Sequence, residues 1–316
     1  MDKTRKESDI YYIKRMFCIL TVLTAAIFIL GNSVHAASDF KTKKNSGDIV
    51  LTEYTGKDAI VKIPKGVTII NRAFVNNKKV KKIILSDSVK EIYEGAFTNC
   101  LKLKEVKFSK NLKVIEKGAF IKCPKIKRIK IPKKCSTIGE WAFTGCTNLK
   151  KIVVEKENKH YRMYKGALYN KKKTRLIIYP RNNKKRTTFS IPKSVNVING
   201  GAFVDNKYIK KLVFQGSSME GDIPAFTGMK KLAIVTFKKP YRQPINFQKC
   251  KKLKRVILAE GTEKIGANQF KGCRNLIKIN FPVSIKTIGY NAFYGCKKLV
   301  VPKFDKDIII EKEYLY

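Results

Sequence analysis

The sequence predicts a solenoid of about 23-residue coils, each a short parallel β-strand plus a short helical or irregular arc. Three observations predict it. Ala-Phe recurs at 73–74, 96–97, 119–120 and 142–143, returns at 202–203 and 225–226, and has the variants Asn246-Phe247, Gln269-Phe270 and Ala292-Phe293. Three residues after each Phe stands Cys100, Cys123, Cys146, Cys250, Cys273 or Cys296, or else Asn77, Asn206 or Met229. An aliphatic residue follows three further on, and then an alternating segment such as Leu103-Lys-Glu-Val106-Lys-Phe108 or Leu149-Lys-Lys-Ile152-Val-Val154.

Each part has a physical reading. Alternation with period two is a strand with one buried face. Apolar residues at i, i+1 and i+4 across Ala-Phe-x-x-Cys suit one helical turn or a tight arc. A 23-residue unit cannot bury its own apolar face, so neighbouring coils must stack. The 9 Ala-Phe-type coils and an irregular coil at about 153–188 would make a stack roughly 50 Å long at ~4.8 Å per strand.

Taken in chain order, residues 1–36 read as a secretory signal peptide. Met1–Arg15 is basic, Met16–Leu30 is uncharged and apolar, and small residues end at Ala36-Ala37, with cleavage expected after Ala36. The apolar run has 15 residues, short of the roughly 20 a spanning helix needs. Membrane contact is therefore expected only through this segment, before cleavage. Residues 37–62 are an N-terminal segment and capping coil, with Asp48–Lys62 read as hairpin-like and turning at Tyr54–Asp58. The repeats occupy 63–301. The first coil is one residue short before Ala73 and the coil before Phe247 is two short, with Pro240 and Pro244 in its arc. A local bend or disordered edge is expected there. Residues 302–316 form a strand-like tail expected to cap the last edge. No sorting motif or wall-binding repeat is read, and no covalent anchor is expected.

The segments Ile191-Pro-Lys-Ser-Val195 through Ala202-Phe203, and Ile131-Pro132 through Ala142-Phe143, resemble the BspA-type (treponemal) leucine-rich repeat of bacterial surface proteins. The resemblance spans about 49–301, and Gly166–Pro180 looks like the inserted hairpin of that family. It implies a leucine-rich repeat solenoid, secreted or held at the bacterial cell surface, that adheres to or binds proteins. It carries over no catalytic residue.

Of 8 cysteines, 7 follow the cleavage point. Six occupy one repeat position, where related repeats place a small inward residue, and they read as a ladder of buried thiols. Adjacent rungs approach disulfide distance, yet parallel side chains in register rarely reach the required torsion. A straight ladder does not make a zinc tetrahedron.

The 68 Lys+Arg against 24 Asp+Glu leave a net charge of +44. The residue before the first strand aliphatic should face outward, which nominates Lys82, Arg128, Lys151, Lys211, Arg255 and Lys278 as a candidate binding face. Like charges 5 Å apart repel by about 0.8 kcal/mol in water before screening. The column is therefore either a solvated lysine-rich surface or a row that a linear polyanion would span. Arg181, Lys184, Lys185 and Arg186 form a second basic cluster, read as a soluble loop or a glycan-binding patch. Trp141 reads as half-buried packing or a contact residue. With 2 histidines, of which only His160 follows the signal segment, triads and histidine metal sites are not expected. No Gly-rich phosphate loop or nucleophile elbow occurs.

The expected function is an exported, non-enzymatic binding protein without cofactor. It would contact host or bacterial surface proteins or glycans. The alternative is a charge-driven binder of wall teichoic acid, sulfated glycan or extracellular DNA, without specific nucleic-acid recognition.

Overall fold

Most coils turn on two left-handed residues, and the coils at Ala225 and Phe247 on one, at Gly228 and Lys249. The computed structural model, which describes residues 37–217, 224–302 and 308–311, places one just before the Ala and one two residues after the Phe. Examples are Gly95 (φ 67°) with Asn99 (φ 61°), and Gly118 (φ 64°) with Lys122 (φ 56°). Gly and Asn accept this region at low cost, which accounts for their recurrence there. The arcs are consequently tight turns, and no α-helix occurs among the described residues.

Most regular coils contribute two strands. The alternating segment forms the first sheet: Ile60–Lys62, Lys82–Ile84 and Glu105–Lys107 pair in parallel, as do Arg128–Ile131 and Lys151–Val154. The same sheet layer resumes as Thr188–Ile191, Lys211–Phe214, Ile234–Phe237, Arg255–Ile257 and Lys278–Asn280. A second, two-residue strand follows in most coils, as in Glu91–Ile92, Val114–Ile115 and Thr137–Ile138, which also stack in parallel. The period-two pattern in the sequence predicts only the first of these two strands. Among the described residues this second sheet has no strand between Ile198 and Lys264, where Pro240 and Pro244 lie, while the first sheet runs through.

The core between the sheets is an aromatic ladder. Phe97 and Phe120 stack with centroids 4.9 Å apart, and Phe120 and Phe143 at 5.4 Å. A second run links Phe203, Phe226, Phe247, Phe270 and Phe293 at 5.0, 5.3, 6.0 and 5.8 Å. Each run begins on a tyrosine: Tyr54 stacks on Phe74 at 5.2 Å, and Tyr179 on Phe203 at 5.5 Å. With these two rungs the solenoid has about 11 turns.

Tyr54 corrects the expected cap. Its N–H donates to the Ala73 carbonyl at 3.0 Å, so it belongs to a rung and not to a turn. The hairpin instead joins Phe40–Asn45 to Asp48–Tyr54 and reverses at Ser46 (φ 46°) and Gly47 (φ 86°). Two consecutive left-handed residues match the twist of an antiparallel pair.

Between the two aromatic runs lies the irregular coil. Tyr161–Tyr164, Ala167–Asn170 and Arg175–Ile178 form an antiparallel meander, and the last strand pairs in parallel with Val197–Ile198. Both faces of the meander are buried. Leu168 and Ile177 pack with the N-terminal half of the core, while Ala167, Tyr169 and Leu176 pack with the C-terminal half. That explains the near-continuous apolar run, since a strand covered on both sides loses its alternation. At the far end, Ile309–Ile310 pairs with Thr287–Ile288 and extends the second sheet. The expected signal segment, and the tail at 303–307 and 312–316, lie outside the described residues.

Candidate interaction surface

Strand alternation sets the outward face of the first sheet. Ile83, Val106, Ile129, Ile152, Leu212, Val256 and Ile279 are buried, which turns their neighbours to solvent. Lys82 is half-buried, and Arg128, Lys151, Lys211, Arg255 and Lys278 are exposed.

The column is not uniform. Lys82 stands in register with Glu105, and its Nζ bonds that carboxylate at 3.0 Å. Arg128 is the register partner of Lys151, and Arg255 of Lys278. Lys211 lies alone between Thr188 and Ile234. The surface therefore carries two cationic doublets, and none of their four members has a carboxylate partner among the described residues. One residue further out, Lys107 and Lys130 form a second outward set that sequence reading did not single out. Lys130 Nζ bonds Glu155 at 2.6 Å, and this contact holds the carboxyl below its ordinary range. A groove of about 650 Å³ lies beside these groups, lined by Lys107, Arg128, Lys130 and Glu155.

The second basic cluster divides. Lys184, Lys185 and Arg186 are exposed, but Arg181 is fully buried and is not part of a surface patch. Its guanidinium donates to the carbonyls of Phe143 (2.8 Å), Gly201 (3.2 Å) and Val204 (2.5 Å). Phe143 lacks the thiol donor of a following coil and Val204 the N–H of a preceding one, so a long side chain with a fork of donors supplies both, while Gly201 also keeps the Val204 N–H. Burial pushes the Arg181 pKa down from its ordinary value. Lys184 and Lys231 both approach the Tyr208 ring, at 5.9 and 5.8 Å.

Trp141 is half-buried in its arc, and its backbone N–H donates to the Gly200 carbonyl at 3.1 Å. The cysteines Cys100, Cys123, Cys135, Cys146, Cys250, Cys273 and Cys296 are free and buried. Six donate Sγ–H to the carbonyl of a Phe in the preceding coil, as Cys100 does to Phe74 at 3.0 Å and Cys296 to Phe270 at 3.2 Å. Desolvation raises the Cys250 and Cys135 thiols to about 12 and Cys296 to about 11. Among the described residues no group of three His, Cys, Asp or Glu is placed to hold a metal ion.

A sealed core carrying an open sheet face defines a repeat scaffold, in which each coil contacts only its neighbours. The pattern of the BspA type leucine rich repeat region matches residues 67–188 and 181–300, in 6 copies. The chain belongs to this family. A leucine-rich repeat protein from Eubacterium ventriosum is 23% identical, with a TM-score of 0.62 over 87% of this chain and 91% of that one. A leucine rich cell surface protein from Faecalibacterium prausnitzii is 22% identical, with a TM-score of 0.55 over 88% and 94%. The pneumococcal vaccine antigen PcpA is 17% identical, with a TM-score of 0.50 over 87% and 97%. At these identities the likeness is one of fold. No curated protein matches the chain.

Proposed function

We propose that this protein is a non-enzymatic, exported binding protein of the bacterial cell surface, engaging proteins or glycans through the outward face of its first sheet. The observation that carries this is the in-register strand face, whose exposed side chains form continuous columns over a sealed core. A neighbour of the same fold is described as a cell surface protein, which supports the location. Export rests on the basic, apolar and small-residue order of residues 1–36.

The test is binding of the purified protein to an immobilised panel of matrix proteins, glycans, wall polymer and DNA, across about 50–500 mM salt. Salt-resistant binding to one protein or glycan is the expected result. A second reading, a charge-driven binder of anionic polymers, is favoured by the Arg128–Lys151 and Arg255–Lys278 doublets, where like charges face each other on adjacent strands. It requires binding to every polyanion, collapsing as salt rises, and abolished by Glu at Arg128 and Lys151. No binding to any member of the panel at any salt would overturn both.

A further inference from the structure

The inserted meander interrupts the second sheet beside Thr137–Ile138, and a cleft of about 440 Å³ opens there. That volume lies within the ~300–1,000 Å³ of ordinary ligand pockets. Its floor is apolar, made by Ile138, Tyr161 and Ile177, all buried. Its rim carries Lys159, His160, Lys171, Lys172 and Arg175, and no carboxylate lines it.

The cleft is held in shape by one buried side chain. Asn158 Nδ2 donates to the carbonyls of Pro132 and Cys135 at 2.7 and 3.0 Å. Its Oδ1 accepts the N–H groups of His160 and Tyr161 at 2.8 and 2.7 Å. This fixes 159–161 against the preceding coil. Tyr161 Oη then donates to the Ser136 carbonyl at 3.1 Å, taking the place of the strand N–H that the next regular coil would supply. Two rim cations are also anchored: Lys171 Nζ donates to the Asn158 carbonyl at 3.1 Å, and Arg175 Nη1 to Asn199 Oδ1 at 3.3 Å. Held this way, their remaining donors are pre-organised, which lowers the ordering cost of binding.

We propose that this cleft binds a saccharide bearing a phosphate or sulfate monoester. The anion would be taken by Arg175, Lys171 and Lys172, and the ring would lie on the floor of Ile138, Tyr161 and Ile177. Guanidinium and ammonium donors make charge-assisted bonds to such oxyanions. An apolar floor with Tyr161 beneath suits a sugar ring better than bare inorganic anion. The site lies on the second sheet and does not rest on the first-sheet reading above.

Calorimetric titration of the purified protein with glucose 6-phosphate, glucosamine 6-sulfate, inorganic phosphate and unmodified glucose tests this. Saturable binding of one monoester is expected, weakened about tenfold or more in Lys172→Gln/Arg175→Gln and unchanged in Arg128→Gln/Lys151→Gln. Preference for the phosphate ester points to a phosphate-bearing polymer, and preference for the sulfate ester to a sulfated glycan; both support the site. Equal loss in the two double variants would reduce the effect to net charge and overturn it, as would no saturable binding of either ester. Both variants alter exposed ends, and matching thermal midpoints would show that they remain folded.

Discussion

Arg181 reaches the Phe143 carbonyl at 2.8 Å, joining the last aromatic rung of one half of the solenoid to the first arc of the other. Within the N-terminal run the equivalent carbonyls of Phe74, Phe97 and Phe120 accept Cys100, Cys123 and Cys146. At the break the Trp141 backbone N–H still reaches the Gly200 carbonyl at 3.1 Å, but the following coil carries Asn206 at the cysteine position, and Arg181 supplies the donor to Phe143.

Replacing Arg181 should therefore unseat the joint. Arg181→Met regains the cost of burying a charge but leaves the Val204 carbonyl without a donor, at about 1–3 kcal/mol, and takes a second donor from Phe143 and Gly201, which keep the N–H groups of Cys146 and Val204. Losing all three charge-assisted bonds outweighs the regained desolvation, and a net loss of about 1–2 kcal/mol is expected in urea unfolding. Arg181→Lys should lose most of that as well, because a single ammonium does not span the three acceptors. Changing Lys184, Lys185 and Arg186 to Gln should stay within about 0.5 kcal/mol. An unchanged midpoint for Arg181→Met would sink the argument.

The thiol ladder should be chemically silent in the folded chain. Thiolate is the reactive form, and burial holds Cys135, Cys250 and Cys296 above the ordinary value near 9. Iodoacetamide at pH 8 should add no mass to the native protein and label every thiol after denaturation. Linkage gives the pH profile. These groups have raised pKa values when folded, so their stabilisation is complete below about pH 9 and is lost as pH rises toward about 11 to 12. Each thiol that ionises only in the unfolded chain removes about 1.4 kcal/mol per pH unit. A flat stability profile from pH 8 to 11 would contradict the burial.

The column on the first sheet contains its own control. Lys82 and Glu105 show that an acid in register with a cation forms a 3.0 Å pair on this face. Thr188 is exposed and stands in register with Lys211. Thr188→Glu should form the same pair and raise stability by roughly 0.3–1 kcal/mol at low salt. The gain should vanish near 1 M salt, where the screening length is about 3 Å. Stabilisation that survives high salt would mean the effect is not electrostatic.

The repeat unit was legible because nine coils repeat one apolar pattern in phase, so each Phe rung and the Lys82 to Lys278 column could be placed by counting. Tyr54 and Tyr179 were not, since neither follows Ala, although they stand 20 and 24 residues before the Phe74 and Phe203 rungs. The signal was present and only its dipeptide form was missing. The Ser46-Gly47 turn was similarly readable as a Ser-Gly turn pair with glycine free to take positive φ. Arg181 was not. In sequence it opens a run of polar and basic residues, and its burial is created by a break between coils that no local pattern reports. Asn158 is of the same kind: it sits in a lysine-rich stretch, and its partners lie 23 and 26 residues earlier.

Tyr179 offers the sharpest test of the two-run core. It occupies a Phe position, stacked on Phe203 with an interplanar angle of 12°, and its N–H donates to Ala202 as rung residues do. Its hydroxyl is buried and has no hydrogen-bond partner among the described residues. Burial also pushes its pKa up to about 12. An unpaired buried hydroxyl costs about 1–3 kcal/mol on mutational scales. Tyr179→Phe keeps the ring and deletes that cost, so it should stabilise the protein by about 1 kcal/mol, raising the urea midpoint without changing its slope. Tyr179→Ala removes the ring that starts the second run and should cost about 3–5 kcal/mol. If Tyr179→Phe is destabilising instead, the hydroxyl has a partner, and the rung is held by a hydrogen bond as well as by stacking.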